Sequence, residues 1–122
     1  MKLTKKHGLH IVADFYECNF SFFQGKTKKQ IKETFSKIIL DNNLHELGSF
    51  YYFFSGRDSF TAVISLAESH ITIHTWPEDG YVSIDIFVCN YSCSQDKNAK
   101  NIFKEISKIF LPKKIKKLFI KR

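Results

Sequence analysis

The stretch AESHITIHTWPEDGY, Ala67 to Tyr81, places Glu68, Ser69, His70 and His74 close together and closes on Trp-Pro-Glu. A carboxylate, a hydroxyl and two imidazoles suit nucleophilic, acid–base or metal chemistry. Read as a strand, the β-branched HITIH segment has His70, Thr72 and His74 on one face and Ile71 and Ile73 on the other, because strand side chains alternate. The PEDG turn then sends the chain back, so that Cys89 returns to the neighbourhood of Ser69 and His70. On this reading a single hairpin gathers a hydroxyl, imidazoles and a thiol. Three accounts stay open at this point. The first is an ordinary hairpin with a solvated polar face. The second is a zinc site of His70, His74, Cys89 and Cys93, although close-spaced ligand pairs are missing. The third is a Ser–His hydrolase, although the Gly-x-Ser-x-Gly elbow is absent.

The elements that must hold this hairpin are legible on either side. From His7 to Cys18, Leu9, Ile11, Ala13 and Phe15 alternate with His10, Val12, Asp14 and Tyr16, which predicts a strand with two different faces. After Gly25, the spacing of Ile31, Phe35, Ile38 and Ile39 predicts a helix, capped by Thr27 and stopped at Asn42-Asn43. Further strands are expected over Gly48 to Phe54, Phe60 to Leu66, Ile71 to Trp76 and Tyr81 to Val88, separated by the turn signals SGRDS and PEDG. A polar loop over 90–98 leads to a second amphipathic stripe, Ala99, Ile102, Phe103, Ile106, Ile109 and Phe110, which Pro112 ends. Ile115 to Ile120 supplies a last strand. The order predicts one α+β domain over residues 1–122, a two-layer sandwich in which two helices pack on one face of a mainly antiparallel sheet. The other sheet face then needs a cover or a partner.

With 43% hydrophobic and 16% aromatic residues, a 122-residue chain can build its own core. The formal charge of +7 raises the question of nucleic acid, but Arg57 and Arg122 are the only arginines, and lysine lacks the planar fork that reads phosphates and guanines. The expectation is no nucleic-acid partner, with PKKIKKLFIKR a solvated edge. No apolar run is long enough to cross a bilayer, and Met1 to Gly8 does not resemble a signal peptide, so the expected location is the cytoplasm without membrane association. Cys18, Cys89 and Cys93 make an odd set with no Cys-x-x-Cys pair, and reduced thiols are expected.

LHIVADFYEC near the start, ESHITIHTWPEDGY in the middle and SIDIFVC after it, in this order and spacing, resemble the small prokaryotic S-adenosylmethionine decarboxylases, pyruvoyl-dependent enzymes of polyamine synthesis. The resemblance runs from about His7 to Cys89 and more weakly through the helix beyond. It implies a proenzyme that cuts itself between Glu68 and Ser69 and turns Ser69 into a covalent pyruvoyl cofactor, with no metal. It further implies His74 as the base of the elimination, Cys89 as the proton donor of the decarboxylation, and Thr61 in place of the family's usual serine. Glu78 matches the residue that accepts hydrogen bonds from the ribose hydroxyls, and Phe53, with Phe54 close behind, is the aromatic expected to stack on adenine. A homodimer of cleaved protomers and a small-molecule substrate are implied in the same way. Around the pocket mouth the chain departs from the family: FFSGRDSFT is longer than the usual connection, Asp79 replaces a common aromatic, and Asn90 replaces a glycine. Those changes leave room for a family member acting on ornithine or arginine; a non-processing binding homologue is a separate alternative, whose signature would be loss of Ser69 or His74, and both are present.

Overall fold

The computed structural model describes residues 7–90 and 94–122, in the order β1 (Gly8–Tyr16), α1 (Lys28–Asp41), β2 (Glu46–Phe53), β3 (Phe60–Leu66), β4 (Ser69–Trp76), β5 (Tyr81–Cys89), α2 (Asp96–Phe110) and β6 (Lys114–Lys121). The strands form a six-stranded sheet in the order β2-β3-β4-β5-β1-β6, and its pairings are antiparallel. Both helices lie on one face, as the α+β expectation required. Their stripes, Ile31, Phe35 and Ile39 from α1 and Ala99 to Phe110 from α2, join the inward residues of β1, β3, β4 and β5 in one core.

Local sequence chemistry sets the element ends. Thr27 accepts from the Gln30 N–H at 3.1 Å, while the Gln30 side chain accepts from the Thr27 N–H at 2.9 Å, which satisfies two of the free donors at the start of α1. Asn42 donates back to the Ile38 carbonyl at 2.8 Å and ends the helix at the expected place. Leu111, at φ +46°, ends α2 one residue before Pro112. Gly80, at φ +61°, closes the turn of Pro77–Asp79 that joins β4 to β5. One strand differs from expectation in a way that matters: β4 begins at Ser69, not Ile71, so only Ala67 and Glu68 separate it from β3.

Phe60 anchors the core beneath the hairpin. It is fully buried and its ring lies 5.4 to 6.3 Å from those of Phe23, Phe35, Tyr51 and Phe53. The opposite sheet face bears no helix among the described residues, and it presents His10, Asp14, Tyr16, Thr61, His70, His74, Ser83 and Asp85 in alternation with the core positions. Phe60→Ala is expected to cost about 3–5 kcal/mol, the usual range for a large aromatic cut from a core. A shift of the urea midpoint at unchanged slope measures it, and a midpoint like that of the native protein would contradict this packing.

Candidate active site

Pairing of β4 with its neighbours divides the polar residues into two groups at opposite ends of the strand. At the first end, Leu66 of β3 pairs with Ser69, and Ser69 with Val88 of β5. The Cys89 N–H donates to the Glu68 carbonyl at 2.8 Å, so the peptide unit before Ser69 is tied to the end of β5. Ser69 itself has φ +146°, a region that side-chain-bearing residues avoid at a cost of order 1–3 kcal/mol. The Cys89 thiol is free and half-buried.

Beside this turn, Asp85 accepts from two imidazoles, His10 Nε2 at 2.7 Å and His70 Nε2 at 3.3 Å. Arg122 contacts the other nitrogen of His10 at 3.2 Å. A guanidinium can only donate, which makes His10 Nδ1 an acceptor and places the ring proton on Nε2, toward Asp85. That tautomer suits an orienting network. The zinc set considered from the sequence does not assemble: His70 turns to Asp85, His74 lies at the far end of β4, and Cys93 lies outside the described residues.

At the second end, Thr61 pairs directly with His74 across β3 and β4, and its hydroxyl meets His74 Nδ1 in a short hydrogen bond. Here Phe54, Ser59, Thr61, His74, Trp76 and Glu78 line an open cleft of about 440 Å³. Thr75, buried beneath it, accepts from the Phe60 N–H at 2.9 Å and donates to the Asp58 carbonyl at 2.6 Å, which fixes the start of β3. The cleft wall continues as an aromatic ladder, Trp76 stacked on Tyr81 at 5.1 Å and Tyr81 on Tyr16 at 5.5 Å. The Tyr81 hydroxyl donates to Asp14 at 2.6 Å, and this bond to a carboxylate, with partial burial, pushes its pKa up to about 12.

Two sequence-level expectations change. The hairpin brings Ser69, His70 and Cys89 together but not His74, which stands five residues along an extended strand, about 16 Å at 3.3 Å per residue. Phe53 does not face the cleft: cross-strand pairing with buried Phe60 puts it on the helix side, stacked with Tyr51 at 6.2 Å and under the Lys28 ammonium at 5.5 Å. Phe54, one residue on, lines the cleft instead. Residues not singled out from sequence are Asp85, His10 and His45. The first two share the alternating polar face of His70, a signal that existed; the contact of His45 with Glu68 spans 23 residues and left none.

Fold and site together define a class of two-layer α+β protein that gathers its ordered polar side chains on the bare face of its sheet. The family model described as S-adenosylmethionine decarboxylase matches residues 9–122. Similar curated proteins include the S-adenosylmethionine decarboxylase proenzymes of Sulfurihydrogenibium sp., 36% identical over 93% of this chain and 80% of that protein, and of Clostridium botulinum, 32% identical over 93% and 94%. A crystal structure of the adenosylmethionine decarboxylase from Aquifex aeolicus superposes with a TM-score of 0.80 at 33% identity, covering 98% of this chain and 92% of that one. The chain belongs to the S-adenosylmethionine decarboxylase family.

The ladder gives a direct electrostatic test. Replacing the Asp14 carboxylate with an amide removes the negative charge that opposes the phenolate, so Asp14→Asn should move ionisation of Tyr81 to lower pH. Following the Tyr81 ring resonances through a pH titration checks it, and a Tyr81 midpoint unmoved by the substitution would contradict the hydrogen bond.

Proposed function

We propose that the chain is a pyruvoyl-dependent S-adenosylmethionine decarboxylase that matures by cutting its own Glu68–Ser69 bond and supplies the aminopropyl donor for spermidine synthesis in the cytoplasm. The observation that carries this reading is the pinned, strained junction: Glu68 carbonyl held by the Cys89 N–H at 2.8 Å, and Ser69 at φ +146°. A planar amide resists attack by a hydroxyl, and stored backbone strain together with a donor at the carbonyl oxygen lowers that resistance. Ser69 Oγ attacks the Glu68 carbonyl carbon while the Cys89 N–H meets the developing oxyanion. The C–N bond then breaks, its nitrogen takes a proton, and an ester remains. A base removes the Ser69 Cα proton, and the Glu68 carboxylate leaves. Water enters and ammonia departs, which leaves a pyruvoyl group at the head of the second fragment.

The base proposed for that elimination is His74, held by Thr61, and the length of β4 supports taking it from a second chain. Within one chain the two ends of β4 lie about 16 Å apart. A second copy, packed open face to open face about a two-fold axis, brings its His74 and Thr61 to this chain's Ser69 and Cys89, and the reverse. The homodimer thereby completes two sites and covers the polar face. The cleft at the His74 end then adjoins the partner's pyruvoyl end. Glu78 offers its carboxylate to the ribose hydroxyls, and Phe54 offers a ring to adenine.

Ser69 and its neighbours fit the pyruvoyl group, since the turn presents Ser69 at a strand start beside a free thiol. Once formed, that group supplies the electron sink that lets carbon dioxide leave. The chain's own task is to return a proton to the substrate α-carbon, and Cys89 is the donor.

Decarboxylation assays with S-adenosylmethionine, ornithine and arginine side by side test the substrate; turnover of amino acids alone would contradict the proposal. In the same assays Ser69→Ala should stay uncut and inactive, while Cys89→Ala should cut and lose about 100-fold or more in turnover, the usual contribution of a placed proton donor. Co-expression tests the shared site. Ser69→Ala and His74→Ala chains, each inactive alone, should regain activity together, because one of the two sites in a mixed dimer is intact. No recovery would place both residues in one chain's own site.

A further inference from the structure

Resting on the self-cleavage reading above, we infer that His45 is a positioning residue for that cleavage, clamping the acyl side of the Glu68–Ser69 bond. It touches neither reacting atom of the bond. Three hydrogen bonds join it to the two-residue turn between β3 and β4. The Ala67 N–H donates to the His45 carbonyl at 2.8 Å, the His45 N–H donates to Glu68 Oε1 at 3.0 Å, and His45 Nδ1 contacts Glu68 Oε2 at 2.7 Å. The Glu68 side chain is only 13% exposed in this embrace, whereas the imidazole is 73% exposed. Burial alone would raise the Glu68 pKa, but the bonds from the His45 ring and backbone outweigh it and hold the carboxyl below its usual range. Glu68 therefore stays an ionised acceptor through the neutral range, and His45 Nδ1 is the donor.

The clamp has a rigid footing. Leu44, the preceding residue, is buried in the core and its N–H donates to the Ile39 carbonyl at 3.1 Å, at the end of α1. Glu68 is thus gripped twice: its carboxylate from the β2 side by His45, and its carbonyl from the β5 side by the Cys89 N–H. With both grips in place, the turn cannot relax the strain at Ser69 by swinging as a unit. Once the bond is cut, Glu68 becomes the carboxy terminus of the first fragment, and the same three bonds keep that new end on the sheet.

The test follows cleavage in time after cell-free synthesis of the full chain, reading cut and uncut masses under denaturing conditions. His45→Ala should slow cleavage about tenfold or more, the rate equivalent of losing a hydrogen bond to a charged group. His45→Asn, whose side-chain amide can replace the Nδ1 donor, should recover most of the rate. Thermal midpoints close to that of the native protein establish that both variants fold, as the exposed imidazole leads one to expect. Cleavage of His45→Ala at the native rate, or an Asn variant as slow as the Ala variant, would overturn the inference alone. A native chain that never cuts would overturn the self-cleavage reading, and the inference with it.

Discussion

A two-residue turn joins β3 to β4, and the hydrogen bond from the Cys89 N–H to the Glu68 carbonyl closes it onto β5. This constraint organises most of what surrounds it. A turn so short, held from a third strand, leaves Ser69 in an extended conformation of positive φ that it would not adopt alone. The same pairing sets the register of β4, since Glu68 opposite Cys89 continues the pairing of Ser69 with Val88. A one-residue slip would turn Ile71 and Ile73 out of the core and His70 and His74 into it. The buried isoleucines therefore fix where the strained serine sits.

Burial and chemistry divide along the two faces of the sheet. On one side, Phe60 and the helix stripes form a continuous apolar layer. On the other, imidazoles, carboxylates and tyrosines are satisfied largely by one another, through Asp85 with His10 and His70, and Asp14 with Tyr81. That face also exposes Phe50, Tyr52, Phe54, Val63 and Trp76. A surface both apolar and furnished with ordered polar groups suits a wet, enclosed interface better than open solvent. The proposed dimer gives it that setting and unites the two ends of β4.

Much of the architecture was legible because it rests on period. Alternation in HIVADFY and HITIH, and helical spacing in Ile31, Phe35 and Ile39, reflect faces that a single chain must bury, and the Thr27 cap follows from local chemistry. The family was legible through the resemblance carried by ESHITIHTWPEDGY. What the sequence concealed is positional. The five-residue gap between Ser69 and His74 can be counted in the sequence, but only an extended strand makes it a distance too long for one site. Phe53 and Phe54 are equal as residue types, and the cross-strand register alone decides which of them faces the core. His45 gave no signal, because its contact with Glu68 depends on the loop before β2 arriving beside a turn 23 residues away.

The most direct test of the account is the intact mass of the purified protein under denaturing conditions, a measurement that needs no substrate. The account predicts two fragments meeting at Glu68 and Ser69, the second beginning with a pyruvoyl group in place of serine. A single uncut chain after prolonged incubation would contradict it, and the strained junction would then be a feature of the fold without its chemistry.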